Sequence, residues 1–341
     1  MSELRRGWTT GACAAAAAKA AFAGLVTGVV PDPVEIPLPR GGRVAFALAG
    51  SWVRDGLAYA AIVKDAGDDP DVTHGALIEV WVERGEGLVF RAGPGVGVVT
   101  RPGLALAVGE PAINPVPREM VQAALSEVGA GGASVTIGVR DGVRLAERTL
   151  NGRLGIVGGL SILGTTGVVV PFSCAAWIDT IHRGVDVARA MGVEHVAGST
   201  GSTSERAVTA LYGLPEVALL EMGDFAGGML KYLRKHPVGR VTVAGGVAKM
   251  TKLAQGRLDL HSKRGSADMA ALAVLAGDDR VAGANTVAEA FGLTPGLGQL
   301  VAAGAWGTAA GVLAGTGVLL DVVVFDREGR LVGESGIRGV G

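Results

Sequence analysis

The second half of the chain repeats one pattern: a short strand, a turn bearing glycine, serine or an acid, and then a helix. Predicted strands at 193–197, 217–222 and 240–244 each fit this description, and a last strand is predicted at 319–325. Such alternation is typical of a parallel sheet, since parallel neighbours need long crossover connections that are usually helical. The pattern therefore predicts an α/β domain with a mostly parallel, Rossmann-like sheet over residues 151–341.

The first half of the chain shows no regular alternation. Thr9 precedes an alanine-rich run that predicts a helix over 11–25, with Thr9 suited to cap it. Several strand-like segments follow, and in one of them Ile78, Val80 and Val82 alternate with residues of the opposite face. Strands that are not separated by regular helices favour an α+β domain, which we place at residues 1–150.

Composition excludes several classes of protein. The 341 residues are 49% hydrophobic, and the 56 glycines show no collagen-like period, so disorder is excluded. Net charge is −1, with 31 basic and 32 acidic residues, which provides no field for nucleic-acid binding. The two cysteines, Cys13 and Cys174, form no metal or disulfide pattern. We expect a cytoplasmic protein.

Three stretches imitate targeting or membrane segments. Arg5 and Arg6 precede an alanine-rich run like that of a twin-arginine signal, but Lys19 interrupts the run. The uncharged stretches 154–178 and 290–320 are rich in small residues and contain proline, unlike most membrane helices. We expect no membrane partner. The glycines of the second stretch predict a small-residue helix packed against a sheet, and they could also serve a homo-oligomer interface.

In a parallel sheet, the turns after the strands all lie at one edge, where backbone N–H groups can meet a ligand. Glutamate or aspartate there could accept hydrogen bonds from ribose hydroxyls. This arrangement favours a nucleotide-like ligand, although doubly wound sheets have such turns whether or not all are used. The candidate cofactor-binding residues are Gly198, Thr200, Gly201, Ser202, Glu221, Asp224, Gly245 and Gly246.

A dense group of charges follows the strand at 240–244. It includes Lys249, Arg257, Lys263 and Arg264, in a chain that is only 18% charged. A strand, a glycine turn and a basic loop favour a site for an anionic small molecule. The alternative interpretation is a solvated basic surface.

Other motifs are weaker. The loop 64–75 contains four aspartates and His74, but its spacing is not that of a calcium-binding loop, so a polar turn is expected and no protein metal site is predicted. Gly93, Gly95 and Gly97 form GxGxG without the third glycine of a dinucleotide fingerprint. The chain has no GxxxxGK[ST], GxSxG or HExxH motif.

Several long motifs, in order along nearly the whole chain, resemble those of the cobalt-precorrin-5B C-1-methyltransferase (CbiD) family. They include RRGWTTGACAAAAAKAA, DAGDDPDVTHG, GPGVGVVTRPGL, GEPAINPVPRE, NGRLGIVGGLSILGTTG and AGGVAKMTKLAQGRLDLHSKRGSADM. Trp8 and Ala12 stand where another aromatic residue and a hydroxyl residue are expected. Several such motifs together are far more specific than any glycine fragment alone.

The resemblance implies an enzyme that uses S-adenosylmethionine to methylate C-1 of cobalt-precorrin-5B in cobalamin biosynthesis. Cobalt would enter only as part of the corrinoid substrate. The basic residues named above could then bind the acetate and propionate arms of the substrate. If a ring proton must leave, His261 is the first candidate base and His74 the second. A non-catalytic tetrapyrrole carrier and a dinucleotide-dependent oxidoreductase are the alternatives.

Overall fold

The computed structural model describes residues 4–129 and 131–341. The chain divides into two compact units, Met1–Cys174 and Ala175–Gly341. Residues 151–174, which the sequence analysis assigned to the second domain, lie in the first unit.

The first unit contains eleven short or medium strands and three helices among its described residues. In chain order these are β1 (Gly7–Trp8), α1 (Thr10–Thr27), β2 (Val34–Pro37), β3 (Arg43–Phe46), β4 (Gly50–Arg54), β5 (Leu57–Val63), β6 (Leu77–Gly85), β7 (Leu88–Ala92), β8 (Val98–Val99), α2 (Pro115–Ser126), β9 (Gly132–Val139), α3 (Gly142–Ala146), β10 (Ile156–Val157) and β11 (Val168–Val169).

The assignment of 151–174 to the first unit follows from backbone pairing. β10 pairs antiparallel with β8, and β11 pairs with β1 at the start of the chain. Residues 151–174 therefore complete the glycine-rich loops of the first unit. Hydrophobic rhythm alone could not reveal this, because a two-residue strand has no period of its own.

Helix α1 forms the centre of the first unit. The side chain of Thr9 accepts a hydrogen bond from the N–H of Ala12, as predicted for the cap. Its alanines are buried against β5, β6 and α2, because small side chains let these elements approach closely. By length and composition α1 could also cross a membrane, but 78% of that window is buried inside the structure. Such burial is typical of a core helix.

The main sheet of the first unit has the order β4-β5-β6-β9-β7, with only the β7–β9 pair parallel. Ile78, Val80 and Val82 are fully buried, as the alternation predicts. The edge strands β4 and β7 were not predicted, because both lie mostly exposed and carry no continuous apolar face.

The second unit contains seven helices and six strands among its described residues. They are α4 (Cys174–Ala190), β12 (His195–Ser199), α5 (Ser202–Tyr212), β13 (Leu219–Glu221), α6 (Ala226–Lys235), β14 (Arg240–Gly246), α7 (Val247–Ala254), α8 (Met269–Ala276), α9 (Val287–Leu293), α10 (Leu297–Leu313), β15 (Leu319–Phe325), β16 (Leu331–Glu334) and β17 (Arg338–Gly339).

The sheet of the second unit is mixed. β13, β12, β14 and β15 are parallel neighbours in that order. β16 and β17 both return antiparallel to β15, whereas β15 was predicted to be the last strand. The α/β alternation is thus present, within a sheet that combines three parallel and two antiparallel pairings. The final strands escaped prediction because they are short and mostly exposed.

A buried polar cluster holds the parallel strands together away from their carboxyl ends. Asp321 accepts hydrogen bonds from the Tyr212 hydroxyl at 2.7 Å, the Thr242 hydroxyl at 2.8 Å and the Arg240 guanidinium at 3.1 Å. The Thr242 hydroxyl donates its only hydrogen to Asp321, so it accepts the hydrogen bond from His195 Nε2, which lies 2.7 Å away. Burial, reinforced by the charge of Arg240, lowers the pKa of His195 and keeps its ring neutral.

Helix α10 is the predicted small-residue helix, and part of it packs as expected. A Cβ at Gly298 would lie 2.0 Å from the Val332 carbonyl oxygen, and one at Gly304 would lie 3.1 Å from Ala254 Cβ. Close backbone approach therefore accounts for these two glycines. A Cβ at Gly307 or Gly311 would meet nothing within 4 Å.

Candidate active site

The carboxyl ends of four parallel strands lie side by side in the second unit. Ser199 of β12 is opposite Glu221 of β13 and Ala244 of β14, and Ala244 is opposite Val323 of β15. The turns that follow these strands therefore converge at one edge of the sheet, the position where open α/β sheets bind ligands.

A cleft of about 600 Å³ opens at this edge. Of the predicted ligand-binding residues, it brings together Thr200, Gly201, Ser202, Gly246 and Lys249. Thr203, Val247 and Ala248 also line it, and they belong to the turns predicted to converge at this edge. The remaining described residues of the lining were not predicted: Ser204, Thr286, Val287, Ala288, Phe325, Asp326 and Arg327.

The turn between β12 and α5 forms one wall of the cleft. Thr200 is buried, and its N–H donates to the Ala244 carbonyl at 3.0 Å. The Gly246 N–H reaches the Thr200 hydroxyl at 3.4 Å, which ties this turn to the next one. A Cβ at Gly201 would meet nothing within 4 Å, so the backbone is open to the cleft there. No described side chain caps the start of α5, which leaves its first N–H groups available to an anionic or polar ligand.

The glycines at the strand ends are not equivalent. A Cβ at Gly198 would lie 2.2 Å from Met229 Sδ, inside the core between β12 and α6. A Cβ at Gly245 would lie 2.5 Å from Met250 Sδ and 2.8 Å from Thr200 Cγ2. The structure thus places Gly198 and Gly245 in packing positions and outside the cleft lining, because side chains in a strand point alternately to the two faces of the sheet.

The acidic turn after β13 lies beside the cleft without lining it. The Trp177 indole N–H donates to the Glu221 carbonyl at 3.0 Å. Asp224 Oδ1 lies 3.0 Å from Lys249 Nζ, in an ion pair that lacks the geometry of a hydrogen bond. This oxygen is buried and has no hydrogen-bond partner in the described part of the chain. Lys249 instead donates to the Thr200 carbonyl at 2.8 Å, and so links the acidic turn to the cleft.

The rest of the predicted basic group lies outside the cleft lining. Arg264 is exposed and pairs at 3.5 Å with the half-buried Asp259. The Arg257 guanidinium is in close contact with Gly265, where a Cβ would lie 2.2 Å from Nη1. Lys263 is exposed. Arg257 and Arg264 thus contact other residues of the loop 257–265.

His261 lies in that loop. The Leu260 N–H donates to the Asp224 carbonyl at 2.8 Å, which holds the loop against the acidic turn. His261 Nδ1 accepts from the Lys263 N–H at 3.0 Å, so the neutral ring carries its proton on Nε2.

His74 belongs to the first unit. Its Nδ1 accepts from the Ala66 N–H at 3.1 Å.

The aspartates of the same loop are engaged with protein donors: Asp65 and Asp68 bind Arg5, Asp69 accepts from the Phe172 N–H, and Asp71 pairs with buried Lys64 at 2.7 Å. The Arg5 interaction lowers the pKa of Asp65 to about 2. The loop is a polar turn, as predicted, in which Asp65 and Asp71 accept hydrogen bonds from N–H groups of the loop itself. Within residues 4–129 and 131–341 no three His, Cys, Asp or Glu side chains are grouped to hold a metal ion.

The glycine loop at 93–97 is explained by packing. A Cβ at Gly95 would lie 2.1 Å from the Val139 carbonyl oxygen, and Gly95 has a φ of +76°. A Cβ at Gly97 would lie 2.5 Å from Ile156 Cγ2. Glycine is required here because the backbone passes close to β9 and β10.

Sequence reasoning missed the hairpin turn between β15 and β16. Asp326 and Arg327 follow β15 directly and line the cleft. Since β15 was predicted as a strand of the same sheet, its carboxyl end could have been placed with the other three. Burial opposes ionisation of Asp326, but hydrogen bonds from the Arg330 backbone and guanidinium outweigh it and lower the pKa.

Two family models and several named relatives match this chain. Residues 1–171 match the family described as CbiD, and residues 259–336 match the family described as CbiD, C-terminal domain. Proteins named cobalt-precorrin-5B C(1)-methyltransferase are similar to the chain. That of Agrobacterium fabrum is 62% identical, over 97% of this chain and 93% of its own, and that of Halorhodospira halophila is 58% identical, over 98% and 95%.

Among solved structures, the crystal structure of the cobalamin biosynthesis protein (cbiD) from Archaeoglobus fulgidus is 25% identical. It covers 82% of each chain with a TM-score of 0.40. Identity above 50% to several relatives over nearly the whole chain leaves one conclusion. The chain belongs to the CbiD family.

Proposed function

We propose that this chain transfers a methyl group from S-adenosylmethionine to C-1 of cobalt-precorrin-5B, giving cobalt-precorrin-6A in cobalamin biosynthesis. The observation that carries the proposal is the 62% identity, over 97% of the chain, to a protein named for this reaction. The cobalt belongs to the substrate.

The proposed donor site is the cleft at the sheet edge. We regard the parallel part of the sheet as Rossmann-like, with β12 and β14 at the centre, where the strand order reverses. Open backbone at Gly201 and Gly246 lets a ligand approach closely. Thr200 and Ser202 supply hydroxyls, while Gly198 and Gly245 support the strands that end there.

Glu221 and Asp224 are proposed to accept ribose hydroxyls beside the cleft. The buried Asp224 Oδ1 has no hydrogen-bond partner among the described residues, and a hydroxyl donor from a ligand would supply one. Lys249 remains a proposed contact of the substrate's anionic arms, together with Arg257, Lys263 and Arg264.

Methyl transfer is an in-line displacement in which the sulfonium carbon–sulfur bond breaks as the bond to the ring carbon forms. The donor is already activated, so the protein chiefly aligns the two reactants and excludes water. Where a proton leaves the ring, His261 is the first proposed participant and His74 the second.

We further propose that the protein works in the cytoplasm on a small-molecule corrinoid, with neither nucleic acid nor membrane as partner. A near-neutral net charge of −1 supports the exclusion of nucleic acid. The open Gly307 and Gly311 of α10 could support contact with a second copy. Sedimentation of the purified protein, with and without a bulky residue at Gly307, tests that contact.

Calorimetric binding of S-adenosylhomocysteine tests the donor site. Gly201 is extended, with a φ of 164°, so valine fits its backbone and would project into open cleft. We expect Gly201→Val to weaken binding at least about tenfold with no loss of thermal stability. Gly50→Val is the matched control, because Gly50 lies in a strand of the first unit with open space at its Cβ.

Equal affinities in wild type and Gly201→Val would move the donor away from this turn. Binding of a cobalt-corrinoid without any binding of S-adenosylhomocysteine, even with the corrinoid present, would favour the non-catalytic tetrapyrrole carrier.

A further inference from the structure

The charges that line the cleft do not cancel. Its ionisable lining residues are Lys249, Asp326 and Arg327. Lys249 is paired with Asp224 at 3.0 Å. Asp326 is bound by Arg330. Arg327 has no ion-pair or hydrogen-bond partner in the part of the chain that the structure describes. The cleft therefore presents one uncompensated positive charge.

The turn that carries Arg327 is held rigidly. Asp326 Oδ1 accepts from the Glu328 N–H at 3.0 Å and from the Arg330 N–H at 2.9 Å. The Asp326 N–H donates to the Arg330 carbonyl at 3.0 Å, which closes the hairpin. The Asp326 carboxylate is thus bound within the turn, whereas Arg327 is exposed and lines the cleft.

The same turn packs against the opposite wall of the cleft. A Cβ at Gly329 would lie 3.7 Å from both Ala207 Cβ and Thr203 Cγ2 of α5. The backbone of Arg327 is therefore held in a hydrogen-bonded turn that lies beside α5. A preorganised cation loses less freedom when it binds an anion, which is what a ligand anchor requires.

We infer that Arg327 is a specificity-determining residue that binds a carboxylate of a ligand in the cleft. A planar guanidinium matches a carboxylate with two parallel hydrogen bonds. The inference rests on the proposed function, whose two reactants both offer this group. The methyl donor carries one carboxylate on its amino-acid end, and the tetrapyrrole carries acetate and propionate arms.

The two sources are separated by a pair of ligands. S-adenosylhomocysteine and 5′-methylthioadenosine share the adenosine and the thioether, but only the former has the carboxylate. Titration of both ligands into wild type and Arg327→Gln tests whether Arg327 binds the carboxylate of the methyl donor. Steady-state methyl transfer, with KM for the corrinoid and kcat determined separately, tests whether Arg327 binds a carboxylate of the corrinoid.

We expect one of two results. A donor contact lowers the affinity of Arg327→Gln for S-adenosylhomocysteine about ten- to hundredfold, the range for a lost charge-assisted hydrogen bond, and leaves 5′-methylthioadenosine unchanged. A substrate contact leaves both ligands unchanged and raises KM for the corrinoid by a similar factor, with kcat retained. In either case Arg327→Lys recovers part of the loss.

Arg234→Gln is the control, because Arg234 is an exposed arginine in the last turn of α6 and lies outside the cleft lining. Unchanged affinities and unchanged KM in Arg327→Gln overturn the inference. S-adenosylhomocysteine binding without methyl transfer by wild type contradicts the proposed function alone, and titration of a cobalt-corrinoid into wild type and Arg327→Gln then replaces KM as the measure of the substrate contact. A wild-type protein that binds neither ligand and transfers no methyl group overturns both.

Discussion

Both histidines that are proposed to handle a substrate proton accept a hydrogen bond from a backbone N–H at Nδ1. In His261 the donor is the Lys263 N–H, and in His74 it is the Ala66 N–H. A neutral ring held in this way carries its proton on Nε2 and has no free lone pair for a substrate proton. In the observed arrangement each ring is thus suited to donate a hydrogen bond, and acting as a base would require it to release its backbone partner.

His261→Ala is expected to lower turnover, while S-adenosylhomocysteine affinity stays within about twofold of wild type. The reduction should be on the order of 10²-fold, the lower range for a group that moves or holds a proton in the transition state. Single-turnover methyl transfer and calorimetry measure the two quantities.

The matched variant is His261→Asn, because an asparagine carbonyl can still accept the Lys263 N–H but has nothing at the position of Nε2. Recovery of turnover in His261→Asn would show that the ring acts only as a cap for the turn 262–264. Loss of turnover in both variants would support a role for His261 Nε2 in the reaction.

At the scale of elements, the strand-to-helix turns divide their glycines into two groups. Gly198 faces the buried Met229, whereas Gly201, three residues later, faces open cleft. The first group lets a helix pack on the sheet, and the second lets a ligand approach the backbone. The sequence pattern could not separate them, because both occur in the same short GST-rich run.

The two groups predict opposite phenotypes. Gly198→Val is expected to lower the free energy of unfolding by about 1–3 kcal/mol, the usual cost of overpacking a core, and to leave ligand affinity intact. Chemical denaturation and calorimetry of the folded protein measure both quantities. Adding Met229→Ala should restore part of the stability, since it removes the atoms that the new side chain meets. A stable Gly198→Val that fails to bind would assign this glycine to the ligand site.

The elements of the second unit were mostly predictable, because a buried parallel strand is a continuous apolar run. β12, β14 and β15 lie within two residues of their predicted limits. β16 and β17 were missed because an exposed antiparallel return carries no such run. Arg327 was missed for the same reason. Its turn lies beside α5 only because β16 pairs with β15, and that pairing was not predicted.

At the scale of the whole molecule, each unit has a large hydrophobic core of its own among the described residues. One is centred on α1 and the β4-β5-β6-β9-β7 sheet, and the other surrounds the mixed sheet of the second unit. Each core is complete within its own unit, as expected for separate domains. Glycine-rich loops occur in both units, and the sequence favoured the strand ends of the second unit for the donor, with the 93–97 loop as the second choice.

Hydrogen exchange measured with and without S-adenosylhomocysteine distinguishes these places in the intact protein. A ligand held at the strand ends stabilises the turns that touch it, and at a hundredfold excess over Kd exchange there can slow by up to roughly a hundredfold. We expect protection in peptides that cover 198–204, 245–249 and 325–330, with none at 93–97. The close packing of Gly95 and Gly97 leaves no space at those two positions for a ligand to approach. Gly201→Val, with binding about tenfold weaker, should reduce this protection about tenfold at the same ligand concentration, and Gly50→Val should preserve it. Protection centred on 93–97 would instead assign the donor to the first unit, and the cleft with Arg327 would then be left to the corrinoid.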